Sequence, residues 1–152
     1  MYQGLTFYHN FIRWLVLASL LYAIYRAYKG YTSKAVFSKT DNAVRHWTAT
    51  IAHIQLMIGM VLYFSSPVTK LFMTSYKEVR KNFDITFFGL IHSSLMLIAI
   101  VLITIGSAKS KRKQADKEKF STMLVWFSIA FIIIFIAIPW PFSPLSNRPY
   151  FR

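Results

Sequence analysis

An all-α membrane protein, a four-transmembrane-helix up-and-down bundle, is the fold class this sequence predicts, and three observations predict it. Four apolar blocks of roughly twenty residues each have the length needed to cross a hydrocarbon core. Basic residues collect between the blocks instead of spreading over one face. The 152 residues are 55% hydrophobic, with a mean hydropathy of +0.41, more than the polar surface of a soluble domain of this length would allow.

The first block covers about 5–28 and is interrupted only by His9, Asn10, Arg13 and Arg26. It lacks a basic segment ahead of the apolar run and a small-residue cleavage site, so it reads as a retained span and not as a signal peptide. A linker with Gly30, Ser33, Ser38 and Thr40 leads to a second block, about 43–66, which stops at Pro67. A polar segment over 70–84 precedes the third block, about 85–106. That block ends at Gly106, before the basic run Lys109-Ser110-Lys111-Arg112-Lys113. The fourth, about 120–138, ends at Pro139-Trp140-Pro141-Phe142, where the prolines cannot continue a helix and Trp140 suits the interfacial belt. Residues 1–142 are therefore expected to form one bundle and 143–152 an irregular tail.

The formal net charge of +13 comes from 18 Lys+Arg against 5 Asp+Glu. Because this charge flanks apolar blocks, it marks topology and contact with the lipid bilayer, and nucleic acid is excluded as a partner. The first connection carries Arg26, Lys29, Lys34, Lys39 and Arg45, and the third carries Lys109, Lys111, Arg112, Lys113, Lys117 and Lys119. The positive-inside bias puts both connections in the cytoplasm and both termini outside. The third connection is also the expected dock for anionic headgroups. With no cysteine, a thiolate-held iron–sulfur cluster and a c-type haem are excluded.

Ionisable side chains inside a span are costly enough to suggest function. From the helical rise, His53 falls about 17 Å, His92 about 12 Å and His9 about 6 Å below the outer ends of their spans. His53 and His92, at similar depth on antiparallel helices, are the expected axial ligands of one haem b. Ala49 and Gly89, four and three residues before them, are expected to leave room for the macrocycle. Arg13, one turn from His9, suits a haem propionate. The competing reading is that each histidine simply hydrogen-bonds a neighbouring helix. Met57 and Met96 follow His53 and His92 by four positions, which leaves copper handling by His9, His53 and His92 as an alternative; as plain packing residues they fill gaps. His46 is expected at the interface, and Asp84 to cap or flank the third span. There is no glycine-rich phosphate loop, no serine–histidine–acid arrangement and no pair of carboxylates within the spans. A redox or accessory subunit fits this inventory better than a stand-alone enzyme.

Gly4-Leu5, His9, Arg13-Trp14-Leu15, the stretch Ala52-His53-Ile54-Gln55-Leu56 with Gly59, and the ending Ile138-Pro139-Trp140-Pro141-Phe142 carry a resemblance. In them the chain resembles small four-helix membrane proteins of the Bacteroidetes labelled cytochrome b or cytochrome b-like, over nearly all of its length up to Phe142. The resemblance implies haem b and electron transfer, with a quinone or a membrane redox complex as partner. The fourth span has no histidine, so one haem is expected, held by His53 and His92, with His9 as an alternative ligand or a group near a quinone or propionate. A haem-free accessory or assembly subunit is the remaining alternative.

Overall fold

The computed structural model describes residues 2–143. Four long helices carry the fold: α1 (Tyr2–Thr32), α2 (Lys39–Ser65), α6 (His92–Arg112) and α7 (Asp116–Ala137). Three short helices, α3 (Pro67–Thr74), α4 (Tyr76–Val79) and α5 (Phe83–Thr86), and a π-helical turn (Phe87–Ile91) join α2 to α6. Because α5, the π turn and α6 run on without a break, the third span is the continuous stretch Phe83–Arg112. The helices pack in a ring, α1 on α2, α2 on α6, α6 on α7 and α7 on α1, which is the up-and-down bundle.

All four spans are long and apolar enough to cross a membrane, and the bundle's outer wall is apolar as well. Leu21, Ile54, Val101 and Ile132 are about half exposed, which water would penalise and lipid does not. The chain is an integral membrane protein whose partner on this wall is the bilayer. Inside, Leu20, Ala23 and Ala27 of α1 meet Ala52, Ala99, Ile103, Met123, Phe127 and Ala130, all fully buried. The alanines let the helix axes approach closely, which is where packing energy comes from when lipid competes for apolar contacts.

The helices begin earlier and end later than the apolar blocks because polar caps extend them past the hydrocarbon. At α2, Ser38 accepts from the Asp41 amide (3.2 Å) while the Asp41 carboxylate accepts from the Ser38 amide (2.9 Å), a reciprocal capping box. The same carboxylate takes the Arg26 Nε–H at 2.7 Å, tying α1 to α2. Buried Arg45 donates to Asn42 and to the Ser107 carbonyl (3.1 Å), tying α2 to α6.

The segment after Pro67 is more ordered than a plain polar connection. Pro67 sits in the first turn of α3, and Asn82, not Asp84, caps α5 by accepting from the Ile85 amide at 3.3 Å; Asp84 lies within that first turn. In the π turn the His92 amide reaches back five residues to the Phe87 carbonyl. Of the predicted tail, residues 144–152 lie outside the described residues.

Asp41 combines a cap with an ion pair, so Asp41→Ala is expected to destabilise the bundle by about 1–2 kcal/mol. The check is the unfolding midpoint in detergent, with Asp41→Asn retaining part of the loss because an asparagine still accepts from Ser38.

Candidate functional site

A cavity of about 380 Å³ opens within the end of the bundle opposite the basic connections, a size within the range of small-molecule sites. His9, Asn10 and Arg13 of α1, Gln55 and Gly59 of α2, and His92, Ser93 and Met96 of α6 line it, against apolar walls from Leu56, Ile100 and Ile134.

The position of His92 follows from the end of α7. In a continuing helix the amide of residue 139 would bond the carbonyl of Phe135, and the amide of residue 141 that of Ala137. Both residues are proline and have no N–H. The Trp140 indole N–H donates to the Phe135 carbonyl at 2.8 Å, and His92 Nδ1 lies 2.8 Å from the Ala137 carbonyl. A carbonyl only accepts, so Nδ1 of His92 carries the proton and Nε2 keeps a lone pair. The Pro-Trp-Pro ending thus exposes the carbonyl that orients this imidazole. Trp140 is buried, with its ring 5.7 Å from that of Trp14.

The His9 ring centre lies 6.5 Å from that of His92, with the ring planes 72° apart. Beside it, Gln55 Nε2 donates to the His9 carbonyl at 2.9 Å. His9 Nδ1 and Gln55 Oε1 are both buried without a hydrogen-bond partner. Buried polar atoms without partners in an apolar setting point to a missing polar ligand. Gly59 makes room for this histidine: a β-carbon there would come within 3.2 Å of His9 Cε1. Arg13 is buried next to the cavity, its guanidinium 5.4 Å from the Trp14 ring centre and 5.8 Å from that of Trp140. Among the described residues no carboxylate lines the cavity, so its formal charge comes from Arg13.

The structure brings together His9, His92 and Arg13, and does not bring His53 to them. His53 is exposed on the outer wall, its Nδ1 2.7 Å from the Ala49 carbonyl and its Nε2 3.1 Å from Thr104 Oγ1. Thr104 is twelve residues beyond His92 on one helix, about 18 Å along its axis. The expected similar depth of His53 and His92 is therefore corrected. Hydropathy edges locate the spans, while the α2–α6 register is fixed by the His53–Thr104 contact and by Tyr63 donating to the Gly89 carbonyl at 2.7 Å. With Nδ1 donating to a carbonyl, Nε2 faces Thr104 Oγ1, whose single O–H also lies 2.7 Å from the Ile100 carbonyl, and the whole ring sits on the outer wall away from the cavity.

Ala49 serves as the acceptor that anchors His53, its methyl turned into the core and away from the cavity. Gly89 makes room for the Phe72 ring of α3 and not for a cofactor; the π turn breaks the α-helical period that placed it on the face of His92. Met57 is exposed, whereas Met96 lines the cavity. His46 lies exposed in the N-terminal part of α2, edge-on to Trp47. Gln55, Gly59 and Thr104 also take part, although the sequence pointed to no site role for them: Gln55 and Gly59 stood out only within the resemblance and Thr104 not at all. Gln55 did carry a signal, as a lone amide in an apolar block. No family model, curated protein or solved structure matches the chain.

The His53–Thr104 contact is expected to behave as interhelical glue. A double-mutant cycle of His53→Ala and Thr104→Ala, read by unfolding in detergent, should give a coupling of about 0.6 kcal/mol.

Proposed function

We propose that this chain is a membrane redox protein that holds one haem b between His9 and His92 and passes electrons to or from a quinone or a neighbouring redox subunit. The observation that carries this reading is the His9–His92 pair. An imidazole nitrogen binds a metal at about 2 Å, so two rings on opposite sides of one metal have centres about 6 Å apart. The observed 6.5 Å matches that separation.

The donor set favours a porphyrin over a bare ion. Among the described residues no three His, Cys, Asp or Glu side chains come close enough to hold a metal. Two imidazoles suffice for haem, because the macrocycle supplies the four remaining ligands itself. Copper would find only His9, His92 and the Met96 thioether at the cavity, since His53 and Met57 are exposed on the outer wall.

When bound, the haem iron supplies one-electron chemistry, alternating between ferric and ferrous states. The chain's own residues set the conditions for it. His92 offers Nε2 as a ligand because the Ala137 carbonyl holds the proton on Nδ1, which also fixes the ring plane and raises its basicity. His9 is the second ligand, seated against Gly59 and steadied by Gln55 on its backbone carbonyl. Arg13 places a fixed positive charge where an acidic group of the ligand needs a counter-ion. Leu56, Ile100 and Ile134 wall the site with apolar surface, so this charge acts in a lower dielectric than bulk water. His53 takes no part in ligation. The Lys/Arg bias of the first and third connections supports a cytoplasmic basic end, with the histidine end and both termini outside the bacterial inner membrane.

Detergent-purified protein from haem-replete cells is expected to show reduced α and Soret bands at about one haem per chain. His9→Ala and His92→Ala should each lower haem affinity by more than about tenfold, while His53→Ala keeps the spectrum unchanged. A spectrum with only the protein band, or one lost with His53 and kept without His9, would contradict the assignment.

A further inference from the structure

The basic end of the bundle has a second concavity, of about 250 Å³, between the first and third connections. Phe37, Ser38, Lys39 and Asn42, at the start of α2, form one side, and Lys111 of α6 and Lys119 of α7 the other. We propose that this pocket binds the phosphate headgroup of an anionic phospholipid in the adjacent leaflet.

Charge accounting comes first. From Arg26 to Arg45 and from Lys109 to Lys119 the chain has eleven Lys or Arg and three acids, Asp41, Asp116 and Glu118. Each acid is already engaged: Asp41 by Arg26 and Ser38, Glu118 by Lys113 at 3.7 Å, and Asp116 by Lys119 at 3.7 Å. Lys39 and Lys111, on opposite sides of the pocket, have no carboxylate partner among the described residues. Lys119 is held over the Phe37 ring, 5.6 Å from its centre, and its pairing with Asp116 is long and open to solvent. Three ammonium groups from three helices thus surround a space with no free carboxylate. The Asn42 amide adds a donor, because its oxygen already accepts from Arg45 and turns the NH₂ outward from that pair.

The pocket also lies at headgroup level. Tyr25 and Tyr28 are exposed on α1 and Trp47 on α2, forming an aromatic belt around this end of the bundle. Lys109 lies 4.9 Å above the Trp126 ring centre, an ammonium at the edge of the apolar zone. Lys39 precedes Trp47 by eight residues, about 12 Å farther out along the helix, and Lys111 lies five residues past Gly106, where the apolar block ends. A phosphodiester whose acyl chains lie in the leaflet reaches this height unaided, and basic pockets between spans recognise such headgroups.

The test is the unfolding midpoint of the detergent-solubilised protein with added dioleoyl phosphatidylglycerol, dioleoyl phosphatidylcholine or sodium phosphate at matched ionic strength. Phosphatidylglycerol should raise the midpoint and phosphatidylcholine should not. The K39Q/K111Q/K119Q variant should lose most of that rise, and the single K111Q variant, which disturbs the surface least, a clear part of it. K29Q/K34Q/K117Q removes the same charge from the same end outside the pocket and should keep the rise. Equal loss in both triple variants would replace the pocket with diffuse attraction and overturn the proposal. So would a full rise with sodium phosphate alone, which would make the ligand a soluble anion, or no response to phosphatidylglycerol.

Discussion

Within a hydrocarbon core there is no water to complete a broken hydrogen bond, and almost every polar feature of this bundle answers to that condition. Two prolines after α7 strip the Phe135 and Ala137 carbonyls of their helical donors, and an indole and an imidazole replace them. Tyr63 donates to the Gly89 carbonyl, Gln55 to the His9 carbonyl and Arg45 to the Ser107 carbonyl. These side-chain bonds to the backbone set the rotation and register of helices whose packed alanines alone would tolerate several alignments. The stability of the bundle and the placement of its histidines thus have the same origin.

The exceptions are informative for the same reason. His9 Nδ1 and Gln55 Oε1 are buried without partners, and both belong to residues lining the one cavity that also holds Arg13 and His92. In water such atoms would be unremarkable. In an apolar environment each costs about 1–3 kcal/mol unless a ligand satisfies or displaces it. A site that stays polar where the rest of the span is satisfied has the signature of a binding site, and the imidazoles of His9 and His92 both border it. His53 illustrates the opposite case. It is equally ionisable and sits in the middle of its span, yet it lies exposed on the outer wall, with Nδ1 on the Ala49 carbonyl and Nε2 beside Thr104.

The sequence made the four spans legible because twenty-residue apolar blocks have few other uses, and it made the histidines and Arg13 legible because such residues are costly in lipid. It did not reveal which histidines meet. Depth counted from hydropathy edges set His53 against His92, and the error lies in helix register, which depends on contacts as specific as Tyr63 with Gly89. The face of Gly89 was misread because the π turn inserts an extra residue into the period, and no pattern in Phe87–Ile91 announces it. The Pro-Trp-Pro ending was legible as a helix stop, but its consequence for His92 emerges only when α6 and α7 are side by side.

A haem held by both His9 and His92 would leave its mark on the spin state of the ferric iron. Electron paramagnetic resonance of the oxidised, haem-loaded protein tests this ligation most directly. Two imidazole ligands make ferric haem low-spin, and ring planes as far from parallel as the observed 72° make that signal strongly anisotropic. This signal is expected in the unmodified chain, unchanged in His53→Ala and converted to high-spin or lost in His9→Ala. A high-spin signal in the unmodified chain, or a low-spin signal that survives removal of His9, would contradict it.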